Sequence, residues 1–190
     1  MGEKFNFNNR HKLNSNERKK ILPAHKLLLK FGLKKGDYIA DLGAGTGFFT
    51  FAAAKIVGRL GLVYALDISE DMLEEIKKQI ITLKSNTFRS NKYAKINIVK
   101  VFENNLVIDN NSVNFILASL VLHEVDNLNK TLEEIERILR NNGKIAIIES
   151  KEKIEAEKII QILKKYNFKN ISYSDINDLF YSIEALKIKE

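Results

Sequence analysis

The sequence predicts an α/β chain: a doubly wound, mainly parallel seven-stranded sheet with helices on both faces and an antiparallel end. Three observations predict it. Short apolar runs alternate with segments of helical periodicity for most of the length. A glycine-rich loop, Gly43 to Gly47, stands between the first such run and the helix after it. The last two apolar runs have no helical segment between them and read as a hairpin. Parallel strands joined by right-handed crossovers then give a sheet wound in both directions.

The elements follow in order. Ser15 is a fitting N-cap for a short helix through Leu22. Pro23 suits the first turn of a second helix, Ala24 to Phe31, and Gly32 closes it. Tyr38 to Leu42 is a buried strand, and Phe48 to Val57 a helix opening from the glycine loop. Leu62 to Asp67 is the second strand. Ser69 caps a helix to about Leu83, with Met72, Leu73, Ile76, Ile80 and Leu83 at helical spacing. Lys84 to Lys92 is a polar loop. Ile96 to Phe102 and Val113 to Leu120 are the third and fourth strands, with the helix Leu128 to Leu139 after them. Asn142-Gly143 turns into the fifth strand, Lys144 to Glu149. Lys153 to Tyr166 is the last helix. The closing strands lie near Asn170 to Tyr173 and Phe180 to Leu186.

Residues 23–190 are expected to form one domain, with 1–22 as an arm in which Phe5, Phe7, Arg10 and His11 could form a lid; the alternative is a frayed tail. The hydrophobic fraction of 45% and charged fraction of 29% suit a globular chain. No apolar run approaches the roughly 18 residues of a membrane span. The polar, basic start lacks an apolar secretory core, so a cytoplasmic location is expected. The absence of cysteine removes disulfides, thiolate metal sites and cysteine nucleophiles. Histidine is too scarce for a metal cage, so no metal is expected. The net charge of +7 admits an anionic partner such as RNA. The positive residues are spread along the chain without aromatic interleaving, so nucleic acid is not the favoured partner.

In doubly wound sheets ligands bind beyond the carboxyl ends of the strands. The glycine loop ends the first strand, Asp67 the second, Phe102-Glu103 the third and Ser119 the fourth. Alternating Gly43, Gly45 and Gly47 let the backbone approach a ligand, and the helix N-terminus adds N–H donors. Asp67 can accept both hydroxyls of a ribose. The spacing G-x-G-x-G is not the dinucleotide pattern G-x-G-x-x-G, since Phe48 stands where its third glycine would be. Asp41 would repel a pyrophosphate but suits an ammonium group. Charge therefore favours S-adenosylmethionine over a nicotinamide dinucleotide.

These residues carry a resemblance. The stretch Asp41-Leu42-Gly43-Ala44-Gly45-Thr46-Gly47 resembles the first motif of class I S-adenosylmethionine-dependent methyltransferases, whose fold is Rossmann-like. Ala65 to Ser69, followed by Met72, resembles their second motif. Leu106 to Asn114, Leu120 to Glu124 and Leu132 to Glu149 are similar to the branch containing the ubiquinone and menaquinone methyltransferases. The resemblance covers Leu27 to Glu149. It implies that Asp41 lies near the cofactor's amino group, that Gly43, Ala44, Gly45 and Gly47 shape the loop, and that Asp67 grips the ribose. It also implies Ile68 and Met72 against the adenine. That branch usually carries an acid followed by a small residue where Phe102 and Glu103 stand. Here either the strand end shifts by a residue or backbone groups read the adenine. A proline of the branch is replaced by Val107 and an aspartate by Asn114.

The only proline, Pro23, rules out the Asn/Asp-Pro-Pro-aromatic motif of many base-amino methyltransferases. Methyl transfer from a sulfonium needs positioning above all. A base is needed only if the acceptor must lose a proton. His123 is the candidate base, and Glu124 could orient it or meet a cationic acceptor. The alternative for His123 is that it merely packs on the following loop. The expected function is methyl transfer to a small-molecule acceptor. The alternatives are a methyltransferase of RNA or protein, a non-catalytic cofactor-binding module, and a nicotinamide-dependent oxidoreductase. The sequence does not specify an oligomeric state.

Overall fold

The computed structural model describes residues 15–85 and 92–189. The proposed lid residues Phe5, Phe7, Arg10 and His11 lie outside them, as does most of the loop expected at 84–92. The fold contains a seven-stranded sheet with the order β3-β2-β1-β4-β5-β7-β6. The described residues divide into two compact units, one up to Lys100 and one from Val101 onward.

In the first unit, helix α1 is Asn16–Ile21, and Ser15 Oγ accepts the Arg18 N–H at 3.1 Å, satisfying one orphan donor of the first turn. Helix α2 is Ala24–Lys30, with Pro23 at its N-cap and Gly32 just past its end at φ 87°. The Leu33 N–H returns to the Leu28 carbonyl at 3.0 Å and closes the turn. Strand β1 (Tyr38–Leu42) leads through the glycine loop into α3 (Phe48–Val57). A 3₁₀ turn, Gly58–Leu60, precedes β2 (Leu62–Asp67). Helix α4 (Glu70–Lys84) starts at Ser69, whose side chain accepts from Met72 N–H. Strand β3 is Lys95–Lys100. Strand β2 pairs in parallel with both β1 and β3. Ile39, Ala40, Asp41 and Leu42 are buried in succession, so both faces of β1 are covered.

In the second unit, β4 (Val113–Ser119) runs parallel to β5 (Leu139–Ser150), and α5 (Leu128–Ile138) lies between them in sequence. Helix α6 (Ala156–Lys165) precedes β6 (Phe168–Asp175) and β7 (Phe180–Lys187). Strand β7 is antiparallel to both β5 and β6, which gives the expected antiparallel end. Glu134 and Arg137 of α5 pin the segment before β4. Glu134 accepts the Leu106 N–H at 3.0 Å, and Arg137 donates to the Ile108 carbonyl at 2.8 Å.

Three of the differences from the sequence expectation change the path of the chain. Strand β3 stops at Lys100 rather than Phe102. Phe102 and Asn105 instead exchange two backbone hydrogen bonds of 3.1 Å across a tight turn with Asn104 at φ 61°. The turn expected at Asn142-Gly143 is a bulge inside β5. Val113 pairs with Leu139 and Phe115 with Lys144, so the chain between those partners loops out, with Asn142 at φ 63°. The last helix begins at Ala156, because turns occupy 151–153.

Lys187 holds the bulge to the end of α5. It is 2% exposed, and its Nζ donates to the carbonyls of Glu136 at 2.6 Å and Leu139 at 2.7 Å. Glu136 Oε1 at 3.2 Å balances its charge. The ammonium thus satisfies carbonyls that the helix end leaves orphaned. Lys187→Met is expected to lower stability by about 1–3 kcal/mol through those stranded acceptors. Thermal melts check this, and an unchanged Tm would remove the role.

Candidate functional site

The glycine loop is built by hydrogen bonds that its sequence makes possible. Gly43 and Ala44 both donate to the Leu66 carbonyl, at 2.9 and 3.0 Å, so the loop is tied to the end of β2. Gly43, Gly45 and Gly47 have φ of 71°, 52° and 91°. Gly47 is the N-cap of α3, and a Cβ there would stand 2.6 Å from the Phe51 ring. Both the positive φ and the close ring exclude a larger residue. Gln79 of α4 donates to the Thr46 carbonyl at 2.8 Å and supports the loop from below.

Asp67 clamps this arrangement. Its Oδ2 accepts the Gly45 N–H at 2.8 Å and its Oδ1 accepts the Ser69 N–H at 2.9 Å. A carboxylate has about four lone-pair sites, so these two bonds leave acceptor capacity on both oxygens. Burial pushes the carboxyl up from its ordinary value, while the hydrogen bonds from Ser69, Gly45 and Ile68 oppose that. Ile68 is 43% exposed beside it, whereas Met72 is buried.

Asp41 is 2% exposed at the end of β1. Thr50 of α3 is fully buried and donates its hydroxyl to Asp41 Oδ2 at 2.6 Å. The carboxyl is pushed up to about 7, mainly by burial and further by the negative charge of Asp67. Thr50 and the Arg18 charge pull it down. Arg18 of α1 lies over the Phe48 ring, 5.1 Å from its centroid. Burial pushes the guanidinium down from its ordinary value, against the pull of Asp41. Its buried Nε has no hydrogen-bond partner among the described residues. This corner holds two carboxylates that repel each other beside a glycine loop whose own N–H groups are taken up by Leu66, Asp67 and Ala44. It suits a ligand that brings a cation and hydroxyls, and it disfavours a pyrophosphate.

The remaining expected site residues lie in the second unit. Phe102 is 59% exposed and, with Glu103, occupies the turn after β3 rather than its end. Ser119 ends β4, and its buried Oγ has no hydrogen-bond partner among the described residues. His123 meets Glu149, not Glu124, at hydrogen-bond distance: Nδ1 to Oε2 is 2.7 Å. Glu124 Oε1 stands 3.6 Å from Nε2, too far to orient the ring by a hydrogen bond. Glu149 also accepts the N–H groups of Val121 at 3.0 Å and Leu122 at 2.7 Å. The hydrogen bond to Glu149 raises the His123 pKa above its ordinary value, burial opposes it, and Glu149 and Glu124 add to it by charge.

Sequence reasoning missed Arg18, Thr50 and Glu149. Glu149 did leave a signal, a lone acid closing the apolar run Ile145 to Ile148. No group of three or more His, Cys, Asp or Glu among the described residues could hold a metal ion. No helix among them is long and apolar enough to cross a membrane.

The Asp41 shift has a stability consequence. Between its ordinary 3.8 and about 7, the folded protein keeps a proton that the unfolded chain has released. Stability from this group is full below that window and is lost as pH rises through it. Asp41→Asn removes the loss. Its Tm should exceed that of the native chain at pH 8, at about 2–4 °C per kcal/mol for this chain length, and the gap should close at pH 4. Melts at the two pH values check this, and a gap independent of pH counts against it.

A family model described as a methyltransferase domain matches residues 33–186. A solved S-adenosylmethionine-dependent methyltransferase from Aquifex aeolicus is 26% identical with a TM-score of 0.86, covering 97% of this chain and all of that one. A ubiquinone/menaquinone biosynthesis C-methyltransferase of Haemophilus ducreyi is 26% identical over 83% of this chain and 60% of its own length. A demethylmenaquinone methyltransferase of Lactobacillus johnsonii is 31% identical over 66% of this chain and 48% of its own. The chain thus spans about half to three fifths of the length of these two curated relatives. The G-x-G-x-G loop, its two carboxylates and the sheet order agree with those similarities, and the chain belongs to the methyltransferase-domain family of class I S-adenosylmethionine-dependent enzymes.

Proposed function

We propose that the chain binds S-adenosylmethionine on the Gly43 to Gly47 loop and transfers its methyl group to a small, ring-bearing organic acceptor. The observation that carries the cofactor assignment is the buried Asp41 carboxyl, pushed up to about 7 beside Asp67. A cation there would draw the proton off Asp41 and gain a full charge interaction. The cofactor's amino group is such a cation, and the cofactor brings no phosphate to oppose it. Asp67 would hold the ribose hydroxyls on the lone pairs that Gly45 and Ser69 leave open. Arg18, with its unpaired buried Nε, would face the carboxylate of the amino-acid end. Ile68 and Met72 would supply the apolar side of the adenine site.

Bound S-adenosylmethionine supplies an already activated methyl group, so the chain's own task is positioning. His123 is the one candidate proton acceptor of the second unit, with Glu124 beside it. The names of the relatives, which concern ubiquinone, menaquinone and demethylmenaquinone, make a quinone-like ring the first acceptor class to test.

Titration calorimetry with S-adenosylmethionine and its demethylated product checks the cofactor assignment. Both should bind the native chain. Asp67→Ala should weaken them at least tenfold, about 1.4 kcal/mol. No heat of binding with the native chain would end this reading.

A further inference from the structure

The turn after β4 is organised around one buried carboxylate. Leu120 takes a positive φ of 55°, a conformation that costs a branched side chain, and its N–H donates to the Ile148 carbonyl at 2.8 Å. The chain then folds over Glu149, whose side chain is 0% exposed. Oε1 accepts the Val121 and Leu122 N–H groups, and Oε2 meets His123 Nδ1 at 2.7 Å. Three donors thus converge on two oxygens. An ionised carboxylate only accepts, so the proton of the neutral imidazole resides on Nδ1. Nε2 is then the atom with a bare lone pair. The ring keeps 16% side-chain exposure, while the carboxylate behind it keeps none. The charged groups that act on the ring are Glu149, Glu124 and, in opposition, Lys153.

A packing role alone would not require a second-row carboxylate fixing one tautomer. That is the arrangement by which a histidine is made a directed proton acceptor. We infer that Glu149 is the positioning residue that sets His123 to take a proton through Nε2. This rests on the methyltransferase reading and deepens it at the proton-transfer step. The acceptor's proton passes to Nε2 and its electron pair stays with the acceptor. That pair would form the bond to the methyl group that bound S-adenosylmethionine supplies, the sulfur keeping the pair of the bond that breaks. His123 is left as imidazolium beside Glu149 and gives its proton to solvent.

The test is ¹⁵N-edited NMR of the ring nitrogens in the full chain, without cofactor, across pH 5 to 9. His123→Gln identifies the His123 signals. Neutral His123 should carry its proton on Nδ1. In Glu149→Gln the amide oxygen can still take the two backbone N–H groups, but its NH₂ faces the ring. The proton should then move to Nε2, and proton affinity should fall at least tenfold, about one pH unit. S-adenosylmethionine affinity in that variant should stay within about twofold by calorimetry, since Glu149 is assigned no cofactor contact. An Nε2–H tautomer in the native chain overturns the inference, and the native titration decides this even if the variant does not fold. A Glu149→Gln variant that melts earlier yet keeps tautomer and midpoint assigns Glu149 a purely structural role and also overturns it. Failure of the native chain to bind cofactor removes the methyltransferase reading instead, whatever the ring nitrogens report.

Discussion

Asp67 is the interaction on which the first unit turns. Its two oxygens take the N–H of Gly45 on one side and of Ser69 on the other, and so join the glycine loop to the start of α4. Without it, two backbone donors at a strand end would face a partly buried corner unpaired, at a cost of about 1–3 kcal/mol each. The clamp also fixes the loop in positive φ, where only glycine sits without strain. The same carboxylate presses on Asp41 through its charge and helps hold that acid near neutrality. Structure and ligand preference thus come from one side chain: the clamp that shapes the loop also supplies the repulsion a cationic ligand relieves.

The second unit repeats the device with Glu149. A buried acid at the end of β5 gathers backbone N–H groups from the turn after β4, and it has room for one further donor, which His123 fills. In both units a strand-end carboxylate pays its desolvation cost with backbone hydrogen bonds. Lys187 is the cationic counterpart, satisfying carbonyls at the end of α5. Asp67, Glu149 and Lys187 are thus each set against backbone groups next to a strand or helix end.

The elements were legible because their signals are local. Ser15 and Ser69 announced helix starts, and each does accept an N–H of the first turn. Apolar runs gave all seven strands, and the missing helix before the last gave the antiparallel hairpin. The end of β3 was misplaced because Val101 is buried and Phe102 aromatic, so the run continues while the backbone has already turned. Asn142-Gly143 signalled a turn correctly, but sheet pairing on both sides of it makes that turn a bulge. Arg18 and Thr50 could not be read, since their relation to Asp41 spans separate helices.

The sequence by itself determined the strand–loop–helix unit, the two acids at its strand ends and hence the class of cofactor. Those features depend on neighbours a few residues apart, and on glycine's freedom at positive φ. It also supplied His123 as a candidate, with Glu124 beside it in the chain. Only the tertiary structure decided which acid the imidazole meets. Glu124 is adjacent but its carboxylate stays 3.6 Å from Nε2, while Glu149 arrives at 2.7 Å on Nδ1 from the next strand of the sheet. The parallel register sets Ser119 against Ile148, and that register carries the following residues into contact. A partnership fixed by strand pairing leaves no periodic trace in the chain, and so it becomes visible only once the sheet has formed.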